Sequence, residues 1–268
     1  HDALPISIKV SMYNTKLTDK IGVAQISVIK GDYDQNIDIH CKMIEQAAKH
    51  KINILLFPEL SLTGYEPSLA NELAILETDP GLQKLQLLAN KHDMVLLVGA
   101  PKRINGDKPQ IGLFVISPNE RIFCYSKMYL HEGENYAFTA GDKDAYIQRD
   151  SGLKVGLAIC ADTSVKWHPE LAAKQGANCY LASMLISHAG YEADSAQLSN
   201  YARDYNMIVA MANYSGITGG WTCAGKSTIW DNKGKLIATV NDAEFALVMI
   251  EFQQDNKAWT GETVVVEL

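Results

Sequence analysis

The chain has 268 residues, of which 47% are apolar and 21% charged. That balance suits one large globular domain and excludes a disordered, collagenous or coiled-coil chain. With 24 basic and 31 acidic side chains the net charge is −7, so neither nucleic acid nor an anionic membrane is an expected partner.

Residues 1–19 are expected to be a disordered or non-native leader. His1 to Ser7 reads as the translation of a sequencing adapter, and the tract lacks the basic and apolar regions of a signal peptide. Ile21 to Ile26 is a short apolar run and predicts a buried strand. Gly31-Asp32-Tyr33-Asp34 is a turn with capping residues, and Ile37, Cys41, Ile44, Ala47 and Ala48 then recur at helical spacing up to His50. Ile52 to Phe57 is a second strand, stopped by Pro58. A helix over 82–91 leads to a third strand at Met94 to Gly99. Ile111 to Ile116 and Arg121 to Tyr125 flank Pro118-Asn119-Glu120 and predict a hairpin. Leu153 to Ile159 is another buried strand, followed by a helix over Pro169 to Gln175. Strands at Asn178 to Ala182 and Ile208 to Ala212 bracket a helix from Asp194 to Tyr205. A second hairpin, Ser227 to Trp230 and Leu236 to Val240, turns at Asp231-Asn232-Lys233-Gly234, and Phe245 to Ile250 completes the pattern. Residues 253–268 read as a C-terminal tail.

β-α-β units therefore alternate with hairpins over residues 20–252, and no linker or repeat divides them. One α/β domain with two mixed sheets packed face to face and helices outside is the expected architecture. No apolar stretch approaches the roughly 18 residues of a membrane span. None of the five cysteines, Cys41, Cys124, Cys160, Cys179 and Cys223, forms a CxxC pair. Neither a zinc site nor a disulfide framework is suggested, and reduced thiols in a cytoplasmic protein are expected.

Gly220 to Ser227 matches the phosphate-binding pattern GxxxxGKS. That loop must leave a strand and open a helix, whose N-terminal amides then hold phosphate. Only three residues separate Ser227 from the turn at Asp231, so a helix cannot fit there, and a glycine-rich loop entering a hairpin is expected instead.

Three polar residues stand at the ends of apolar strands, where α/β sheets assemble their sites. Glu59 follows Phe57-Pro58, Lys127 follows the first hairpin, and Cys160 ends Val155 to Ile159 before a polar switch at Asp162. Taken singly, each has a plain structural reading: a solvated carboxylate, an exposed lysine, a small buried hydrophobe.

Taken in order, they resemble the nitrilase superfamily of carbon–nitrogen hydrolases over residues 20–252. The matching pieces are Gly22-Val23-Ala24-Gln25, Phe57-Pro58-Glu59 with Thr63-Gly64-Tyr65, and Tyr125-Ser126-Lys127 with Leu130. Glu134, Phe138 and Gly141 follow, then Gly156 to Asp162, Ala212-Asn213, Gly225 with Ser227, and Asp231 with Gly234. The resemblance implies a four-layer α-β-β-α sandwich and a Glu-Lys-Glu-Cys site. Cys160 matches the nucleophile, Glu59 the general base, Lys127 the oxyanion-site cation and Glu134 the supporting glutamate, with Glu132 as the alternative two residues away. The backbone N–H of Ala161 is the second oxyanion donor. A thiol of ordinary pKa about 8.5 needs such a base to attack at neutral pH.

The resemblance further implies hydrolysis of a small amide or N-carbamoyl amine through a thioester, with no cofactor or metal, in a homodimer. Thr63-Gly64-Tyr65 favours an amide over a nitrile, which stays as the alternative. Two departures stand out: Ala161 where many members carry an aromatic residue, and Ala202-Arg203-Asp204-Tyr205-Asn206 where a glutamate is common. Residues 184–207 are therefore expected to shape the substrate site, with His188 and Tyr191 as surface or supporting groups.

Overall fold

A computed structural model describes residues 5–10, 19–106, 108–253 and 258–268. In chain order the strands and helices begin with β1 (Ile6–Val10), β2 (Lys20–Gln25), α1 (Tyr33–Lys49), β3 (Ile54–Leu56), α2 (Pro80–His92) and β4 (Val95–Lys102). The middle holds β5 (Gln110–Ile116), β6 (Phe123–Ser126), β7 (Ala145–Arg149), β8 (Lys154–Ile159), α3 (Trp167–Lys174) and β9 (Cys179–Ser183). The remainder is α4 (Tyr191–Tyr205), β10 (Ile208–Ala212), β11 (Ile217–Thr218), β12 (Trp221–Thr222), β13 (Thr228–Trp230), β14 (Leu236–Thr239), β15 (Ala246–Gln253) and β16 (Ala258–Val265).

Two seven-stranded sheets result, in the orders β16-β15-β2-β3-β4-β5-β6 and β1-β7-β8-β9-β10-β13-β14. Each has a parallel centre, β2-β3-β4 in one and β8-β9-β10 in the other, flanked by antiparallel hairpins. The central strands read as unbroken apolar runs because both of their faces are covered. Ile54, Leu56, Val95 and Leu97 point inward against Val155, Leu157, Ile159 and Leu181 of the opposite sheet. Their neighbours Leu55, Leu96 and Val98 point outward against Ile37, Met43 and Ile44 of α1 and Leu82 and Leu85 of α2. On the other side, Ala158, Tyr180, Ala182 and Val209 meet Ala172 of α3 and Leu198 and Ala202 of α4. The order of layers is thus helix, sheet, sheet, helix, as expected.

Capping sets the helix starts. The Asp32 carboxylate accepts the Gln35 N–H at 3.1 Å, so α1 begins four residues ahead of its first apolar position. Asp79 does the same for α2 through the Gly81 N–H at 2.8 Å, with Pro80 at the first helical position.

Two segments outside the expected domain add edge strands: Ile6–Val10 pairs with β7, and Ala258–Val265 pairs with β15. Residues 1–4 and 11–18 lie outside the described residues. The strand β7 carries no long apolar run, because its last residue is Arg149, whose guanidinium is buried against Asp19 at 3.1 Å.

His40 in α1 is wholly buried and joins the layers behind the active face. Its Nδ1–H donates to the Asn36 carbonyl at 2.7 Å, so its unprotonated Nε2 accepts the Ser61 hydroxyl at 2.9 Å. Burial depresses its pKa from 6.5 to about 4. Between those values the unfolded chain takes up a proton that the folded protein refuses. Stability should therefore fall as pH drops from about 6.5 to about 4, by up to about 3 kcal/mol from this residue. Urea unfolding across that range checks it: His40→Gln should be less stable at neutral pH, and its deficit should shrink toward pH 4.

Candidate active site

Glu59 and Lys127 come from one sheet and Cys160 from the other, so the site depends on how the sheets are joined. The Ser183 hydroxyl donates to the Phe57 carbonyl at 2.8 Å, and the Glu59 N–H reaches the Met184 carbonyl at 3.4 Å. The loop bearing Glu59 lies directly on Gly99, where an added Cβ would come within 2.3 Å of the Leu60 nitrogen. Gly99 donates its N–H to Ser61 at 3.2 Å, so the His40 network holds that loop from behind.

Lys127 is fully buried and forms ion pairs with Glu59 Oε1 at 2.7 Å and Glu134 Oε1 at 2.8 Å. Glu134 sits in a single 3-10 turn, Glu134–Tyr136. Its Oε1 also accepts the Tyr65 hydroxyl at 2.7 Å, and its Oε2 accepts the His131 N–H at 2.7 Å. Glu132 is exposed and takes no part. Burial disfavours the Lys127 ammonium, but Glu59, Cys160 and Glu134 outweigh it and hold the lysine well above its ordinary range. An ammonium has three donors, and these two carboxylates engage two of them.

Burial raises the Glu59 carboxyl to about 7, against the pull of Lys127 and with a further push from Glu134. Among the described residues its second oxygen, Oε2, is buried without a hydrogen-bond partner, while the Cys160 thiol is close enough to act on its titration. Cys160 follows β8 with φ 40°, in the left-handed region that a side chain rarely adopts, and opens a 3-10 turn over Cys160–Ser164. Burial pushes its thiol well above the ordinary range, the Glu59 carboxylate pushes it further, and Lys127 opposes both. Above about pH 7 the resting pair is thus a carboxylate beside a thiol. The early N–H groups of a helical turn lack intrahelical partners, which leaves the Ala161 N–H available next to the sulfur.

Asp162, part of the sequence motif but given no role there, ties the two halves together. Its Oδ1 accepts the Met128 and Tyr129 N–H groups at 3.0 and 2.9 Å. Its Oδ2 accepts the Ile159 N–H at 2.9 Å and the Tyr125 hydroxyl at 2.7 Å. One buried carboxylate therefore fixes the end of the lysine strand to the end of the cysteine strand. Tyr65, which holds Glu134, also had no assigned part. Asn213 and Gln25, also motif residues without an assigned role, pin the glycine-rich loop. Asn213 Nδ2 donates to Gly225 O at 2.8 Å and its Oδ1 accepts the Ile186 N–H at 2.8 Å. Gln25 Oε1 accepts the Ser227 N–H at 3.0 Å. Strand β13 follows Ser227, so the phosphate-loop pattern lacks its helix.

The cysteine, both glutamates and Ala161 line a cavity of about 240 Å³, with Asp194, His131 and Trp221 among its walls. His188 is exposed, and Tyr191 packs its ring under Lys226. No cluster of metal-binding side chains occurs among the described residues, and no described helix is long and apolar enough to cross a membrane.

Two sheets between helix layers, with a buried Glu-Lys-Glu cluster beside a cysteine at a strand end, define a class of hydrolase. The sequence pattern of the carbon–nitrogen hydrolase family matches residues 20–260, and the chain belongs to that family, acting on non-peptide C–N bonds. It is similar to the 2-oxoglutaramate amidase of Bacillus subtilis (strain 168), 26% identical over 249 residues that cover 92% of this chain and 95% of that protein. It is also similar to a nitrilase of Pyrococcus abyssi, 24% identical over 84% of this chain and 86% of the other. Among solved structures, an amidase of Nesterenkonia sp. AN1 superposes with a TM-score of 0.80 at 20% identity, covering 89% of this chain and 94% of that one. A variant of that amidase carries the acetamide moiety of fluoroacetamide added covalently at its active-site cysteine, with a TM-score of 0.80 and 20% identity over 89% of this chain and 92% of that one.

Replacing Asp162 by Asn would set an amide NH2 against backbone donors. An orphaned buried donor costs about 1–3 kcal/mol, so Asp162→Asn should lower the unfolding midpoint in urea. It should also reduce turnover about tenfold or more, because small misplacements of reacting groups are costly. Normal kcat in a folded Asp162→Asn protein would show that this tie does not position the site.

Proposed function

We propose that the protein hydrolyses a small aliphatic amide or N-carbamoyl amine, with Cys160 as nucleophile and Glu59 as general base. The observation that carries this reading is the unpartnered Oε2 of Glu59 beside a protonated thiol in a small cavity. In the first step the Cys160 proton passes to Glu59 and sulfur attacks the carbonyl carbon, leaving an oxyanion. The third N–H of Lys127 and the Ala161 N–H would hold it, donors of a kind that typically contribute about 3–4 kcal/mol. Glu59 becomes neutral as the oxyanion forms, so Lys127 faces two negative charges throughout and no net charge enters the buried site. Collapse breaks the C–N bond, Glu59 returns its proton to the departing nitrogen, and ammonia or amine leaves. Water then gives a proton to Glu59 and attacks the thioester. The C–S bond breaks, sulfur is reprotonated from Glu59, and the acid leaves. Nitrile hydrolysis would use the same nucleophile, and Tyr65 against Glu134 at 2.7 Å is the local feature shared with the amidase-like motif. A homodimer in a reducing compartment completes the proposal, supported by five unpaired cysteines and the family resemblance.

Mass spectrometry of protein quenched during turnover of an amide and nitrile panel should find an acyl group on Cys160. Cys160→Ala should remove activity and leave the fold intact, and near-normal amidase activity in that variant would exclude the mechanism. Because Glu59 accepts a proton only as the carboxylate, kcat/KM should rise with pH through about 7 and level above it. A rate independent of pH from 5 to 9 would remove Glu59 as the base. Iodoacetamide, itself a small amide, should label Cys160 ahead of half-buried Cys41 and buried Cys124, Cys179 and Cys223.

A further inference from the structure

The cavity holds one charged side chain that the proposed cycle leaves unused. Asp194, in the first turn of α4, is half-buried in its wall. No ion pair or side-chain hydrogen bond reaches its carboxylate among the described residues, and its pKa is raised first by burial, with only His131 acting against it. A half-buried carboxylate without a partner is costly to keep. The helix dipole does not demand it there, since the exposed Glu192 already serves the same helix end.

The rest of the wall points the same way. Among the described residues no lysine or arginine lines this space, and Lys127, behind Glu59 and Glu134, is already shared by those two glutamates. A substrate carboxylate would meet three acidic side chains and no free guanidinium or ammonium. A substrate cation would instead meet Asp194 and the half-exposed indole of Trp221, whose ring face attracts positive charge.

We propose that Asp194 selects substrates that carry a positively charged group at the end remote from the scissile bond, such as an ω-ammonium amide or the N-carbamoyl derivative of a diamine. This sets the chain apart from the Bacillus relative named for 2-oxoglutaramate, whose own carboxylate would find no counter-ion here. The selectivity rests on the reading of Cys160 as the acylated residue of the same cavity.

Three amides of similar length separate the cases: 5-aminopentanamide (cationic), hexanamide (neutral) and glutaramate (anionic). At about pH 8 the amine stays charged and Glu59 is ionised. The intact enzyme should prefer the cation over the neutral amide by about tenfold or more in kcat/KM, the scale of one partly desolvated ion pair, and should discriminate further against the anion. Asp194→Asn should lower kcat/KM for 5-aminopentanamide about tenfold more than for hexanamide, and Asp194→Glu should recover part of that difference. Equal loss on both substrates, or a wild-type preference for glutaramate, would overturn the assignment. Calorimetric titration of Cys160→Ala with the same three amides reads the preference without turnover. Tighter binding of the cation there, lost in the double variant with Asp194→Asn, supports Asp194 even if no acyl-enzyme forms. Failure of acylation alone would instead count against the proposed cycle.

Discussion

The Lys127 ammonium, buried between Glu59 and Glu134, is the interaction on which the site depends. Taking three charges out of water is expensive, and mutual attraction offsets that only when the geometry is tight and the remaining polar atoms are satisfied. Distances of 2.7 and 2.8 Å meet the first condition. Tyr65 and the His131 N–H meet the second for Glu134. Among the described residues Glu59 Oε2 is left unmatched in the cluster, and it is the atom the proposed chemistry uses. Two carboxylates around one lysine also explain why Glu59 is pushed upward rather than downward: burial and Glu134 together exceed the pull of Lys127.

That cluster can exist only if strand ends from two sheets are held in register. The joining is done by buried polar groups rather than by the apolar core, which is indifferent to direction. Asp162 receives backbone N–H groups from both the lysine and the cysteine strand ends. Ser183 and the Glu59 amide cross the inter-sheet space, and Asn213 with Gln25 anchors the glycine-rich loop against the cavity wall. The motif residues that do no chemistry are therefore largely joints. His40 and Ser61 extend the same logic to the outer layer, carrying the rigidity of α1 to the glutamate loop.

Charge then distinguishes this cavity from others with the same core chemistry. With Lys127 committed to two glutamates and Asp194 unpaired, the space is negative overall. A family-level mechanism can remain constant while a single carboxylate in the first turn of α4 alters which acyl chains are admitted. Ala161, where the resemblance leads one to expect an aromatic residue, lines the same cavity as Cys160 and Asp194.

Much was legible from the chain alone. Apolar runs such as Leu153 to Ile159 marked central strands, because strands covered on both faces must be apolar at every position. Helix α1 followed from period and capping, while α2 and α4, expected from Leu82 and Asp194, begin a few residues earlier, after Asp79 and Gly190. The strands β1, β7 and β16 were not read: β1 and β16 lie at sheet edges, where little apolar surface is needed, and β7, between β1 and β8, ends on the buried Arg149. The four expected site residues follow the order of the family pattern along the chain, and spacing to Phe138 and Gly141 favoured Glu134 over Glu132. The tertiary fold buries Glu134 against Lys127 and leaves Glu132 exposed. It likewise sets Asp162 and Tyr65 against partners far away in sequence and leaves the Asp194 carboxylate, among the described residues, unpaired in the cavity wall. Local periodicity reports the solvent exposure of a residue's own face, whereas a pairing between charges is set by where distant strands end.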